Sequence, residues 1–197
     1  ERDITTFNIP NGTTKIGDYT FYYYSGLTSV TIPDSVTSIG NNSFKGCSGL
    51  TSVTIPDSVT RFGNEAFHDC THLTSVTIGS GVTSIGNSAF YGCSGLTSVT
   101  IPNSVTKIEY MAFRGCTSLT SVTIPDSVTR IENQAFRSCS SLTSVTIQAA
   151  TPPTLDYSAF DSTNNCPIYV PAESVEAYKA ATNWSTYASR IQAIPTA

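Results

Sequence analysis

The sequence predicts a repeat solenoid, mostly β and wound around a parallel sheet, and three observations predict it. Leu27, Leu50, Leu73, Leu96, Leu119 and Leu142 stand 23 residues apart. Nearly everything between them repeats too, the first full copy reading LTSVTIPDSVTSIGNNSFKGCSG. Each copy carries a Val-Thr-Ile triplet that alternates as a half-buried strand does. A fixed period of this length marks a coil whose units pack only on their neighbours.

The second full copy assigns the elements in order. Leu50, Val53, Ile55, Val59, Phe62, Ala66, Phe67 and Cys70 are expected inward. Val53 to Ile55 forms a strand, and Pro56, with no N–H to give, closes it. Asp57-Ser58 suits a turn whose carboxylate bonds nearby amides. Val59 to Phe62 is a second extended piece ended by Gly63, and Asn64 to Phe67 a short helical or 3₁₀ turn toward the next coil. A phenylalanine recurs there as Phe21, Phe44, Phe67, Phe90, Phe113 and Phe136, then as Phe160 after a one-residue slip. About seven units result: one from Ile4, five full copies, and an altered one from Leu142. Parallel strands on successive coils are expected to form a continuous sheet, wound right-handed by default.

After Ile147 the phrase breaks down. Pro167 to Pro171 reads as a final strand and Ser174 to Ala181 as the one good helical stretch, followed by Trp184, Tyr187, Ile191 and Ile194. Residues 1–165 are therefore assigned to the solenoid. Residues 166–197 are assigned to a strand-helix cap that covers the open end of the last repeat.

Composition narrows the function. The chain has 39% hydrophobic and 12% charged residues and a formal net charge of −4. No stretch is long enough to span a membrane, and the scattered basic residues give nucleic acid no footprint. A leader or further repeats are expected to have been removed ahead of Glu1. Of six cysteines, Cys47, Cys70, Cys93, Cys116 and Cys139 share one column, where Tyr24 stands in the first unit. Coils about 4.8 Å apart place five thiols in a row that cannot all pair, so a reduced, inward ladder is expected. Cys166 lies outside it.

The unit L-x-x-V-x-I-P-x-S-V-x-x-I-x-x-x-A-F-x-x-C closely resembles the BspA-like class of leucine-rich repeats, over roughly residues 4 to 165. The tail IYVPAESVEAYKAATNWSTYASRIQAI is similar to the end of such proteins in gut and oral anaerobic bacteria. The resemblance implies the α/β leucine-rich-repeat class, an extracellular or cell-surface location, and adhesion to a host matrix or bacterial surface protein. It implies no catalytic residues and no cofactor. A monomer is expected, and the alternative role is a glycan-binding or spacer module of a larger surface protein.

The candidate sites fit a binder better than an enzyme. Thr31, Thr54, Thr77, Thr100, Thr123 and Thr146 form one outward row, beside a row from Ser29 to Ser144. It reads as a hydroxyl-rich recognition face, although threonine pairs also stabilise exposed strands. Tyr19, Tyr22 and Tyr23 gather near the N-terminal end as an aromatic patch, a composition enriched at interfaces. Glu109 and Glu132, one period apart, raise retaining glycoside hydrolysis, but the reading preferred is two exposed turn carboxylates neutralised by Lys107 and Arg130, since no cleft is predicted. His68, Cys70 and His72 form HDCTH, whose histidines share a metal only on a helix. Here Cys70 belongs inside and His68 outside, so the three are expected to diverge.

Overall fold

The computed structural model describes residues 4–196; Glu1, Arg2, Asp3 and Ala197 lie outside the described residues. Two rows of short strands alternate along the chain. The first row is β1 (Thr6–Asn8), β3 (Ser29–Thr31), β5 (Ser52–Ile55), β7 (Ser75–Ile78), β9 (Ser98–Val99), β11 (Ser121–Ile124) and β13 (Ser144–Ile147). The second is β2 (Lys15–Ile16), β4 (Ser38–Ile39), β6 (Arg61–Phe62), β8 (Ser84–Ile85), β10 (Lys107–Ile108), β12 (Arg130–Ile131) and β14 (Thr154–Leu155). All pairs are parallel, and most registers advance by 23 residues, as in Val53↔Val76 and Ile108↔Ile131. The slip falls at Ile131↔Leu155.

The expected continuous sheet is instead segmented. First-row pairing runs β1–β3, then β5–β7–β9, then β11–β13 onward. The reason lies in the residue after each strand. The Gln148 N–H donates to the Ile124 carbonyl at 3.0 Å, a bond that proline cannot make. The two four-residue pairings, β5–β7 and β11–β13, lead into Gly79 and Gln148. Where Pro56, Pro102 or Pro125 follows, the strand's pairing to the preceding coil is shorter or lost. Across the gaps the coils stay joined ahead of the strand, the Thr51 and Thr120 N–H groups each donating at 3.3 Å to Thr28 and Thr97 carbonyls.

The connectors are single turns rather than longer helical runs, because each contains two left-handed residues. One column is Tyr19, Asn42, Glu65, Ser88, Met111, Gln134 and Ser158; the other is Tyr23, Gly46, Asp69, Gly92, Gly115, Ser138 and Ser162. A side chain in this conformation costs about 1–2 kcal/mol. The return is an inter-coil bond at most of these positions. Asn42 and Gly46 N–H groups donate to Asn64 and His68 carbonyls of the next coil at 2.9 and 2.8 Å.

Every inward position expected in the second full copy is buried. The phenylalanine column stacks nearly face to face from Phe21 to Phe160, with ring centroids 5.0–5.6 Å apart. Full burial of each ring is worth about 1.5–3 kcal/mol. The thiol column runs beside it, unpaired. Each Sγ donates to the phenylalanine carbonyl of the preceding coil, from Cys47 to Phe21 at 3.1 Å through Cys139 to Phe113 at 3.1 Å. Burial pushes the Cys47 thiol up to about 12 and raises Cys70, Cys93 and Cys116 well above the ordinary thiol range. Thr163 takes the next place in the column but donates within its own coil, to the Phe160 carbonyl at 2.7 Å. A threonine ladder closes the edge. Thr28, Thr51, Thr74, Thr97, Thr120 and Thr143 each donate their hydroxyl to the main-chain carbonyl 23 residues back, at 2.9–3.4 Å.

The C-terminal segment continues the coil rather than only covering it. β15 (Ile168–Val170) pairs with β13, and a strand the sequence did not suggest, β16 (Ile191–Ala193), pairs with β15. Both steps keep the 23-residue register: Val145↔Ile168↔Ile191. Between them lie a 3₁₀ helix (Ala172–Ser174), α1 (Val175–Ala180) and a second 3₁₀ helix (Trp184–Arg190). Their side chains satisfy the last carbonyls of the solenoid. Tyr178 Oη donates to Ala149, Trp184 Nε1 to Pro153 and Asn183 Nδ2 to Leu155, at 2.7, 2.8 and 2.7 Å. The Trp184 ring ends the aromatic stack, 5.9 Å from Phe160.

Two outcomes follow from this packing. Ser138 has φ +63° in a column that holds glycine in three coils, so Ser138→Gly is expected to raise stability by up to about 1 kcal/mol, read as a higher urea midpoint. The six thiols should resist iodoacetamide at pH 8 in the native state and all react in denaturant. Because Cys47, Cys70, Cys93 and Cys116 titrate higher when folded, the contribution of these four is full below the ordinary thiol pKa of about 8.5. It is lost as pH rises through that value and on toward the folded ones, and the midpoint should fall accordingly.

Candidate functional site

The strand registry builds the broadest surface. Outward positions of the first row align as Asn8, Thr31, Thr54, Thr77, Thr100, Thr123, Thr146, Tyr169 and Gln192. The threonines from Thr31 to Thr123 are exposed and Thr146 is half-buried. Beside them run Thr6, Ser29, Ser52, Ser75, Ser98, Ser121 and Ser144, and neither row contains a charge. The structure thus brings the six sequence-identified threonines into one row and extends it at both ends. Tyr169 and Gln192 were legible only through the 23-residue interval, since no motif surrounds them. Where the ladder opens between β9 and β11, the row is creased by a shallow cavity of about 450 Å³, lined by Thr100, Thr123 and Gln148 among others.

Tyr19, Tyr22 and Tyr23 also come together. Their rings meet edge to face, at 5.2 Å for Tyr19–Tyr22 and 4.6 Å for Tyr22–Tyr23. Tyr19 is 57% exposed and Tyr23 43%. The patch sits on the connector edge, between β2 and β3, so it shares no element with the threonine face. Further along that edge Lys45 bonds Glu65, which also accepts from His68 Nδ1 at 3.0 Å. The Lys45 hydrogen bond holds the Glu65 carboxyl below the usual carboxylate range. His68 meets Tyr91 edge-on at 4.6 Å, and the Arg114 guanidinium lies 5.6 Å from the same ring.

Glu132 is a main-chain cap and ion-pair partner, and Glu109 bonds a serine side chain. Glu132 accepts the Tyr110 N–H at 2.9 Å and meets Lys107 at 2.8 Å. Glu109 accepts from Ser84 Oγ at 3.1 Å. The neutralisation differs in detail from the sequence reading: Lys107 reaches the next coil's Glu132, and Arg130 makes its two close bonds, at 3.1 and 2.9 Å, to Asp156. These glutamates stand where earlier coils have Gly40 and Gly63. There the cap is an Asx side chain: Asn64 N–H donates to Asn41 Oδ1 at 2.9 Å. A Cβ on Gly63 would lie 2.6 Å from that oxygen. At Glu132 one capping device therefore replaces the other.

The HDCTH residues diverge. Cys70 is buried in the thiol column, His68 turns to Glu65 and Tyr91, and His72 Nδ1 lies 2.6 Å from the Ser48 carbonyl. Among the described residues no group of three or more His, Cys, Asp or Glu side chains is set to hold a metal ion.

The comparisons agree with this geometry. A family model for the BspA type leucine rich repeat region matches residues 1–119 and 83–186, in six copies. A leucine-rich repeat protein from Bacteroides ovatus is similar in structure, at 25% identity and TM-score 0.70 over 98% of this chain. The chain spans only 54% of that protein's length. The T. pallidum leucine rich repeat protein matches at 27% identity and TM-score 0.77, covering 83% of this chain and 78% of its own. A leucine rich cell surface protein from Faecalibacterium prausnitzii matches at 25% identity and TM-score 0.58, covering 96% of this chain and 63% of its own. No curated protein matches the chain.

Proposed function

The chain belongs to the BspA-type leucine-rich repeat family, and on that premise we propose that it is a non-catalytic interaction module at the cell surface that holds a protein partner against its first-row face. The observation that carries this reading is the aligned, uncharged row from Asn8 to Gln192. Within each run of paired strands, parallel registry commits the main-chain groups of this face to the neighbouring coils, so recognition there falls to the outward side chains. Hydroxyls, one amide at either end and Tyr169 offer a partner both donors and acceptors without a charge to desolvate. The surface location rests on one similar structure's being described as a cell surface protein. No helix among the described residues is long and apolar enough to cross a membrane.

The test uses capture from extracts of host matrix and of bacterial surfaces. Immobilised protein should retain a defined set of proteins, and Thr54→Arg with Thr100→Arg should lose that set. These exposed positions are two coils apart, so the arginines do not face each other and the change in stability should stay within about 0.5 kcal/mol per site. Retention of the same set by the double variant, or of nothing by either protein, contradicts the proposal.

A further inference from the structure

A cavity of about 650 Å³ lies away from the threonine face, where the second 3₁₀ helix packs on the last connector. We propose that this cavity is a binding site for a neutral sugar, either a free hexose or the terminal residue of a glycan. Its volume lies within the range of small-molecule sites, about 300–1,000 Å³.

The floor is held in place from several sides. Arg190 donates through Nε to the Cys166 carbonyl at 2.8 Å, through Nη1 to the Phe160 carbonyl at 3.3 Å and through Nη2 to Thr163 Oγ1 at 2.8 Å. Its guanidinium lies 5.3 Å from the Tyr187 ring centroid. The Tyr187 hydroxyl donates to Asp161 Oδ1 at 2.8 Å and accepts the Phe160 N–H at 3.2 Å. Such a floor is organised before a ligand arrives, which lowers the entropy lost on binding.

The rim is the opposite. Ser162, Asn165, Thr186 and Ser189 line the cavity, yet among the described residues none of their side chains makes a hydrogen bond to protein. They supply hydroxyls and an amide that both donate and accept. Asp161 and Arg190 contribute one charge of each sign, so the site does not select an anion or a cation. Polar, planar groups beside neutral hydroxyls, with no net charge, match a polyhydroxylated neutral ligand. The rim backbone is also unusual. Ser162, Asn164 and Asn165 have φ of +57°, +58° and +50°, three left-handed non-glycine residues within four positions, a kind of strain that clusters at functional sites.

The site is separate from the first-row face, and its failure would leave that reading standing. Saturation-transfer NMR and calorimetry on the full chain would use glucose, galactose, mannose and N-acetylglucosamine, with glycine and sulfate as charged comparators. At least one sugar should bind saturably. Asn165→Leu and Thr186→Leu, both at exposed positions, should each weaken it about tenfold or more at unchanged melting temperature, while Thr100→Arg should not. Binding of none of the sugars, binding undisturbed by both leucine variants, or preference for glycine or sulfate would overturn the proposal.

Discussion

Each coil of this protein depends on its neighbours for the hydrogen bonds of its main chain. The dependence runs both ways. Near the first strand row donors point back, as Thr28 N–H does to the Thr5 carbonyl, while in the connectors they point forward, as Phe44 N–H does to Ala66. Reversal of direction within a single coil requires the left-handed residues at two places in each connector. Once that registry is set, equivalent side chains must stack. The phenylalanine rings, the reduced thiols and the edge threonines are three consequences of the same constraint, each filling the space or the lone pairs that the stacked main chain leaves.

The constraint also limits where specificity can lie. Positions in the repeat are committed to packing or capping, including Glu132, which replaces an Asx-and-glycine device with its own carboxylate on Tyr110. What remains free is the outward face of the first row, the tyrosine cluster at the connector edge, and the seam where the cap departs from the repeat. The first is broad and chemically uniform, as a surface for a protein partner would be. The last is concave and chemically mixed, with a fixed floor and unengaged rim.

Much of this was legible in the sequence because one physical rule, inward or outward at a 23-residue interval, governs most side chains. It identified Leu50 to Cys70 as core and the threonines from Thr31 to Thr146 as one outward row. It also set the HDCTH side chains apart. Segmentation of the sheet was legible too, in the prolines, but only once their missing N–H was set against Gly79 and Gln148. The cap hid its continuation of the coil, since β16 keeps the interval while sharing no motif with the repeat. Bonds from Trp184, Asn183 and Tyr178 to carbonyls about thirty residues back leave no periodic trace, and the seam cavity arises from packing between segments that the period does not relate.

If coils stabilise one another in sequence and the cap closes the chain of dependence, hydrogen exchange should be graded along the axis. Native-state exchange of the protein and of Trp184→Ala, followed by mass spectrometry, tests this most directly. Central coils such as Ser75–Ile85 should be the best protected. The substitution should strip protection first from Leu142–Phe160, beneath Trp184, and progressively less from coils nearer the N-terminal end. Equal loss of protection in every coil, or unchanged protection beneath Trp184, would contradict the account.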